Sequence, residues 1–438
     1  MLGDSWMKLV LDALYLTAAL ALSPLIAYRV LKHNRYRRGW AQRCGRIVRR
    51  SPEKRCLWLH AVSVGEVNAA QSILAELAAK LPDAEFVVST TTDTGFARAQ
   101  SLYGDQHLVT YFPFDLSPFV ERAFAQLRPC LCLLMELEIW PNFMKTAHQH
   151  RVPVLVVNGR ISDKSFVSYR RVRPLIKSMF SRVHLVLAQT EEYAARFVQL
   201  GCAADKVIAT GSLKYDTAQV GAHIEGADSL AARLDLNGHP VWVAGGTGVD
   251  EEVLILEAFE HIRRDSRFQT LRLVIVPRKP ERFDLVAELI HRTGMPFVRY
   301  SRLKGGTLSR HRQADAIILG DTMGDLRKFY SLATVVFVGR SLVPMGGSDM
   351  MEVAALGKPT LFGPHTFNFR QTVDALLKGQ GALEVTDAAQ LTAAVTRCLL
   401  DPDYAAGMGQ RGQEVIRSQQ GATARCLHQI LKVLDAGC

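Results

Sequence analysis

Short runs of apolar residues alternate with amphipathic stretches along the chain from residue 56 onward. Most runs are rich in Val and Leu and lack polar alternation, which is typical of parallel strands covered by helices on both faces. The pattern therefore predicts a doubly wound α/β fold. In the first half of the chain the predicted strands lie at 56–60, 85–90, 108–113, 131–136, 152–158, 184–189 and 206–211.

The same pattern resumes after residues 217–239, which carry no strong strand signal. The economical interpretation is two Rossmann-like domains that face each other across a cleft, because ligands bind at the carboxyl ends of such strands. We expect domains at 51–216 and 240–438, the second ending in a helical tail, with a linker at 217–239. The second series of predicted strands lies at 241–246, 271–277, 316–321, 334–339 and 359–363.

The N-terminal segment combines an apolar run with a basic flank. Twenty mostly apolar residues lie between Lys8 and Arg29, close to the roughly 20 that span a bilayer as a helix. Asp12 lies one turn from Lys8, where pairing or the membrane interface lowers its cost. We expect an uncleaved anchor within 1–50 and a cytoplasmic body, and an interfacial helix held to anionic lipid by the flank is the alternative.

Charge is concentrated in that N-terminal segment. The formal net charge is +11, and the first 55 residues hold twelve Lys or Arg against three Asp or Glu. The remaining chain is nearly neutral, which argues against a nucleic-acid-binding surface on the fold itself. The eight cysteines form no Cys-x-x-Cys pair, so we expect reduced thiols in the cytosol and no zinc site.

Polar residues gather where the predicted strands end. The stretch HAVSVGEV at 60–67 places Glu66 in the first turn of a predicted helix. From spacing alone Glu66 is a helix-capping acid whose position keeps it ionised but lowers its basicity. The stretch MELEIWPN places Glu136 and Glu138 on one face if the backbone is extended. Glu138 suits a cap for the following helix, whereas Glu136 is the better ligand-contacting acid.

Eight ordered stretches carry a resemblance to a known family: HAVSVGE, STTTDTG, LMELEIWPN, NGRISDKS, GSLKYD, VPRKPERF, DTMGDL and EVAALGKPTLFGPHTFNF. Together they resemble the 3-deoxy-D-manno-octulosonic acid (Kdo) transferases of lipopolysaccharide assembly, which are membrane-anchored glycosyltransferases of the two-Rossmann GT-B type. Two places depart from the family pattern. The chain has Gly346-Gly347-Ser348-Asp349 where Gly-Gly-His-Asn is usual, and Gly246-Thr247-Gly248 where Ser-Thr-His is usual.

The resemblance implies transfer of Kdo from CMP-Kdo to a lipid A precursor, with inversion, at the inner membrane and without a cofactor or metal. It implies that Glu66 is the general base. The expected acceptor-binding residues are His60, Ser63, Gly65, Glu136 and Arg160. The expected donor-binding residues are Lys214, Thr247, Pro277, Arg278, Met323, Gly324, Gly346, Gly347, Ser348, Asp349 and Glu352.

Several of these assignments have physical support of their own. Arg278 and Lys214 each follow a predicted strand, where a cation meets phosphate or carboxylate. Gly346, Gly347 and Ser348 open a predicted helix whose free amides suit an anion, and Asp349 fits an N-cap there. Met323 is a core methionine unless it packs on the cytosine.

Two rival functions remain open from the sequence. A GT-B transferase or epimerase that uses another nucleotide sugar is suggested by the two departures, and donor specificity separates it from a Kdo transferase. A catalytically inert, membrane-anchored scaffold would have lost the base or the phosphate-binding residues. Glu66, Arg278 and Glu352 are all present, which disfavours the scaffold.

Overall fold

The computed structural model describes residues 38–221, 224–304 and 317–437, together with positions 12, 13, 15–17, 20, 21, 23 and 32. The chain divides into two compact units. One comprises residues up to Thr217 together with Gln420–Cys438, and the other comprises Ala218–Gln419. Each unit contains one parallel β-sheet with helices around it.

The sheet of the first unit has seven strands within the described residues, in the order β3-β2-β1-β4-β5-β6-β7. All neighbouring pairs are parallel. The strands are β1 Arg55–His60, β2 Ala84–Thr90, β3 Leu108–Tyr111, β4 Pro129–Met135, β5 Val154–Gly159, β6 Leu185–Ala188 and β7 Val207–Ala209. The helices are Trp40–Arg43, Val64–Ala69, Gln71–Lys80, Asp93–Tyr103, Ser117–Leu127, Pro141–Gln149, Asp163–Arg171, Arg173–Phe180, Glu191–Leu200, the 3-10 turn Ala204–Lys206, Leu213–Asp216 and Ala422–Asp435.

The second unit repeats this arrangement, with the strand order β10-β11-β9-β8-β12-β13-β14 and parallel pairing throughout. The strands are β8 Val241–Thr247, β9 Arg272–Pro277, β10 Phe297–Arg299, β11 Ile317–Leu319, β12 Val335–Val338, β13 Thr360–Phe362 and β14 Leu383–Glu384. The helices are Ala227–Leu234, Glu251–Arg263, the 3-10 turns Ser266–Phe268 and Pro280–Arg282, Phe283–Arg292, Tyr300–Lys304, Leu326–Leu332, Met351–Ala355, Arg370–Lys378, Ala388–Leu400 and Pro402–Gln419.

The α/β class and the two parallel sheets predicted from the sequence are confirmed. Each predicted strand overlaps an observed one, because buried parallel strands carry continuous apolar runs. The pattern missed β10 and β14, which pair at the two edges of the second sheet and are only half-buried. Short edge strands need few apolar residues, so they leave little periodic signal.

Alternate residues of β1 show how the central strands are buried on both faces. Leu57 and Leu59 pack into one apolar cluster with Leu74. Trp58 points to the opposite cluster, where its ring centroid lies 5.2 Å from that of Phe143 and 5.5 Å from that of Phe124. The strand is therefore held from both sides, and its carboxyl end has a fixed position.

Two segments differ from the domain boundaries expected from the sequence. The expected linker contains the helix Ala227–Leu234, whose Leu230 and Leu234 are buried. The last helix, Ala422–Asp435, falls outside the second unit although the sequence assigned it to the second domain. Its buried face, including Cys426 and Ile430, joins the core of the first unit, because helix packing follows the apolar stripe rather than chain order.

Most of the expected anchor, residues 9–28, lies outside the described residues. Among the residues that are described, no helix has both the length and the apolarity needed to cross a bilayer. The Asp12 carboxylate accepts hydrogen bonds from the Ser117 backbone N–H at 2.9 Å and from Asn142 Nδ2 at 3.0 Å. A polar residue in the apolar run is thus bound to the body of the first unit.

Candidate active site

The turn after β1 is closed by reciprocal hydrogen bonds. Ser63 is the N-cap of the helix Val64–Ala69, and its Oγ accepts a bond from the Glu66 N–H at 3.4 Å. The same hydroxyl donates to Glu66 Oε1 at 2.9 Å, and the Val62 N–H donates to Glu66 Oε2 at 2.9 Å. The arrangement resembles a capping box, except that Glu66 accepts the N–H of Val62, one residue before the N-cap. Both carboxylate oxygens therefore have fixed positions.

The Glu66 side chain is nevertheless a stronger base than a helix-capping acid in water. The residue is only 8% exposed, and this burial raises the pKa of Glu66 to about 7. The bonds from Val62 and Ser63 lower the pKa by less, and the charge on Glu136 raises it further. The expectation that the helix N-terminus dominates and lowers basicity is wrong, because desolvation outweighs it.

A turn begins at Glu136, which corrects the extended geometry expected for Glu136 and Glu138 from their spacing. Glu136 has φ +57°, so the extended backbone of β4 ends directly before it. Glu138 accepts a bond from Trp140 Nε1 at 2.9 Å. The helix Pro141–Gln149 is capped by the carboxylate of Asp115, which accepts from the N–H groups of its second and third residues. The prediction that Glu138 caps this helix is therefore wrong.

The charges of these three acids act on one another. Burial raises the pKa of Glu138, and the Glu136 charge raises it further. The charge on Glu138 also contributes to the raised pKa of Glu66. The carboxyl ends of β1 and β4, which are neighbouring strands, thus bring Glu66, Glu136 and Glu138 into one acidic site. Such an arrangement is typical of a functional site in an α/β sheet.

The remaining predicted acceptor residues differ in how they meet this site. The His60 ring is fully buried and stacks on Phe112 at a centroid distance of 3.8 Å. Burial lowers the pKa of His60 to about 3, so the ring is neutral and belongs to the wall behind the turn. Gly65 is exposed, and a Cβ there would meet only Ser63 Oγ, at 3.8 Å. Arg160 joins the site through its N–H, which donates to the Glu136 carbonyl at 3.4 Å.

The predicted donor residues at the ends of β8 and β9 adjoin each other. The two strands pair directly, and the Arg278 N–H donates to the Thr247 carbonyl at 3.1 Å just beyond Pro277. The Arg278 side chain is exposed, whereas the Thr247 hydroxyl is buried and donates to Glu252 at 2.9 Å. Lys214 is exposed in the short helix Leu213–Asp216, in the first unit rather than the second.

The glycine pair at 346–347 lies in a loop, which corrects the prediction that it opens a helix. Both glycines have positive φ, at +90° and +83°, and the helix begins only at Met351. The carboxylate of Asp349 accepts the Met351 N–H at 2.9 Å, which fixes the turn before that helix. Ser348 is buried, and its hydroxyl donates to the Gly246 carbonyl at 2.8 Å.

Several of the predicted donor residues carry charges that act on Glu352. Burial raises the pKa of Glu352, and the Asp349 charge raises it further. Arg278 and Arg327 act in the opposite direction. Met323 and Gly324 lie outside this set of interacting charges. Met323 is 66% exposed, which excludes a core role, and Gly324 has φ +90° with open space beside it.

Comparison with known proteins identifies the chain at the family level. The family profile described as 3-deoxy-D-manno-octulosonic-acid transferase matches residues 38–217. A 3-deoxy-D-manno-octulosonic acid transferase of Haemophilus influenzae is 33% identical over 96% of this chain and 98% of its own length. The chain belongs to the Kdo transferase family. A relative from Bordetella pertussis, of the same description, is 31% identical over 94% of this chain and 97% of its own.

The fold agrees with membership of the Kdo transferase family. A glycosyltransferase from Rickettsia africae has a TM-score of 0.56 and covers 87% of this chain and 98% of its own, at 13% identity. Identity this low speaks only to the fold, which is the two-sheet α/β architecture of GT-B enzymes. The resemblance found from the sequence motifs is thereby confirmed at the level of family and fold.

The two departures from the Kdo transferase pattern touch each other. A Cβ at Gly246 would lie 2.6 Å from Ser348 Oγ, and that hydroxyl already bonds the Gly246 carbonyl. A glycine at 246 and a small hydroxyl at 348 therefore fit as a pair. This contact was not predictable from the sequence, because residues about a hundred positions apart show no contact in a single sequence.

The sequence assigned no role to two residues at the loop that follows β12, Glu251 and Arg340. Glu251 is fully buried and accepts four backbone N–H groups. Arg340 was not singled out either, although only Gly339 separates it from the end of β12. A signal existed for Glu251, since two acids open an apolar helix there. No comparable pattern marks Arg340.

Proposed function

We propose that this chain transfers Kdo from CMP-Kdo to a lipid A precursor, with inversion at the anomeric carbon. The observation that carries the proposal is Glu66, a buried carboxylate at the carboxyl end of β1 whose pKa is raised to about 7. A proton acceptor poised near the working pH is what general-base catalysis requires. Family membership supplies the substrate class, because the named relatives are Kdo transferases.

The hydrogen bonds of Glu66 leave capacity for a substrate proton. Each carboxylate oxygen offers two lone-pair directions. Glu66 Oε1 accepts one hydrogen bond, from Ser63, and Oε2 accepts one, from Val62. We propose that an acceptor hydroxyl binds at the remaining direction of one oxygen. Gly65 leaves open space beside this position, so an incoming sugar does not meet a side chain there.

In this mechanism Glu66 takes the proton as the acceptor oxygen attacks the anomeric carbon of Kdo. The bond from that carbon to the phosphate oxygen of CMP breaks, and CMP leaves with the electron pair. Attack from the opposite side inverts the configuration. Arg278 and the donor loop at Gly346–Gly347 are the groups we propose to stabilise the negative charge on the leaving phosphate. Glu352 is proposed to bind the ribose.

We also propose that the body works at an inner-membrane surface, with the N-terminal segment as an anchor. Support comes from the exposed face of the helices Asp163–Arg171 and Arg173–Phe180. There Val167, Val172 and Leu175 are 42%, 42% and 80% exposed. Exposed Arg170, Arg171 and Arg173 lie among them, a combination typical of surfaces that meet anionic lipid.

The decisive experiment measures Kdo transfer from CMP-Kdo to a lipid A precursor by the wild type and by Glu66→Gln. We expect the variant to lose about 10²- to 10⁴-fold in kcat while CMP binding, followed by titration calorimetry, stays within twofold. Glu76→Gln, an exposed acid on the next helix, is the matched control and should keep full activity. Full activity in Glu66→Gln would reduce Glu66 to a helix cap, and absence of transfer by the wild type would overturn the donor assignment.

A further inference from the structure

The loop that follows β12 is fixed by a buried carboxylate. Glu251 Oε2 accepts the Arg340 N–H at 2.5 Å, and Oε1 accepts the N–H groups of Ser341 and Leu342, both at 2.9 Å. The loop then returns to its own start, since the Gly347 N–H donates to the Arg340 carbonyl at 2.8 Å. Arg340 is therefore tied by its backbone to both the buried acid and the glycine pair of the donor loop.

Arg340 adopts a backbone conformation that a side chain disfavours. Its φ is +61°, in the left-handed region where glycine is the usual residue. The Glu251 bond to its N–H holds it there. A non-glycine residue kept in this conformation at the carboxyl end of a strand is a reason to look for a role of the side chain.

The Arg340 side chain occupies the space above Gly248. A Cβ at Gly248 would lie 3.0 Å from Arg340 Cγ and 2.6 Å from Met345 Sδ. The guanidinium is steered by one bond, from Nη2 to the Met345 carbonyl at 3.0 Å. Gly248, one of the two departures from the family pattern, is thus the residue that leaves room for Arg340.

The guanidinium has unused donor capacity. Its Nε is buried and has no hydrogen-bond partner among the described residues. No ion pair found in the described part of the chain includes Arg340, whereas nearby Arg282 is bound to Glu252 at 2.7 Å and to the Gly248 carbonyl at 3.3 Å. The Glu251 carboxylate below is already shared among four N–H groups. A cation without an acidic partner is thus fixed beside Gly248 and the Met345 carbonyl.

We propose that the Arg340 guanidinium binds an oxyanion of the sugar-nucleotide donor, the phosphate of CMP or the carboxylate of Kdo. This inference rests on the proposed function, since it assumes an anionic donor in the second unit. A planar guanidinium with fixed N–H groups suits either oxyanion through paired bonds. Arg340 then contributes the cationic side chain on the Gly248 side of the loop, apart from Arg278.

The test measures binding of cytidine, CMP and CMP-Kdo to Arg340→Gly, with Arg340→Lys as a second variant. Glycine accepts the positive φ, so the thermal midpoint of Arg340→Gly should not fall, and weaker binding cannot then be ascribed to unfolding. We expect the Kd of CMP-Kdo to rise about tenfold or more, the Kd of cytidine to change less than twofold, and Arg340→Lys to recover only part of the loss.

Comparing the binding of CMP with that of CMP-Kdo shows which of the two oxyanions Arg340 binds. An equal rise for CMP and CMP-Kdo assigns the phosphate, and a rise confined to CMP-Kdo assigns the carboxylate. Equal losses for cytidine and CMP, or unchanged binding of CMP-Kdo, would overturn the inference. Gln380→Gly, at φ +53° elsewhere in the second unit, controls for the backbone change. A wild type that binds neither CMP nor CMP-Kdo would instead refute the proposed function.

Discussion

Glu66 and Glu251 occupy corresponding places in the two units but are bound differently. Each lies in the first turn of the helix after the first strand of its sheet along the chain, β1 or β8. Glu66 accepts one hydroxyl and one N–H, whereas Glu251 accepts four backbone N–H groups. Burial raises the pKa of both.

This difference in hydrogen bonding indicates which of the two buried acids is available to a substrate. A carboxylate has about four acceptor directions. Three of those of Glu251 accept the N–H groups of the loop Arg340–Leu342, and the fourth accepts the Gly248 N–H. The Glu66 carboxylate accepts two hydrogen bonds, which use only half of its acceptor directions. The same topological position therefore supports a structural acid in one unit and a proposed base in the other.

Replacing each acid by glutamine is the most direct test of the different roles of Glu66 and Glu251. In Glu251→Gln the amide NH₂ faces buried N–H donors, leaving about two of them unsatisfied at about 1–3 kcal/mol each. We expect the free energy of unfolding of the second unit to fall by about 2–6 kcal/mol. In Glu66→Gln the amide oxygen accepts from Val62 and the NH₂ donates to Ser63, so the loss should be below about 1 kcal/mol near pH 5. Urea unfolding followed by circular dichroism measures both.

The pH dependence of these variants gives the control. The folded pKa of Glu66, about 7, exceeds its ordinary value of 4.5, so the folded state retains this proton more strongly. The stability that Glu66 contributes is present below about pH 4.5 and is lost as pH rises through about 7. Relative to the wild type, Glu66→Gln should therefore gain stability between pH 5 and pH 8. Equal destabilisation by both substitutions at pH 5 would remove the distinction between the two acids.

The comparison of Glu66 with Glu251 also shows which features could be predicted from the sequence. The positions and the parallel type of the central strands were predictable, because β1, β4 and β8 are buried on both faces. Their order in each sheet was not predicted. Glu66 stood out because it follows a strand and opens a helix. The hydrogen-bond count that separates Glu66 from Glu251 was not predictable, since the partners of Glu251 lie about ninety residues away along the chain.

Errors at the site arose where local spacing was taken as local geometry. Glu136 and Glu138 were expected on one face of an extended segment, but a left-handed residue turns the chain at Glu136. The cap of the helix Pro141–Gln149 comes from Asp115, more than twenty residues earlier. Burial was likewise invisible, so the sequence suggested a weak base where desolvation produces a pKa near 7.

A substitution at Gly65 tests whether the acceptor substrate reaches Glu66. A Cβ there meets only Ser63 Oγ, at 3.8 Å, so Gly65→Leu should leave the free energy of unfolding unchanged or raise it, as helix propensity favours leucine over glycine by up to about 1 kcal/mol. We expect kcat/KM for the lipid acceptor to fall about tenfold or more with unchanged CMP binding. Gly95→Ala is the contrast, since its Cβ would lie 2.8 Å from the Val62 carbonyl and should cost stability. Normal acceptor kinetics in Gly65→Leu would argue against an acceptor hydroxyl at Glu66.

The smallest expected effect concerns the acids that surround Glu66. In the wild type, kcat/KM should rise with pH and level off above about pH 7, because the base acts only when deprotonated. The charge on Glu138 helps to raise the pKa of Glu66, so Glu138→Gln should move the midpoint to lower pH by less than about one unit. Measuring kcat/KM from pH 5 to pH 9, with Glu76→Gln as control, detects the shift. A midpoint that does not move, or that moves to higher pH, would mean that the titrating group lies outside this acidic site. Glu66 would then not be the base, and its contrast with the structural acid Glu251 would have no catalytic meaning.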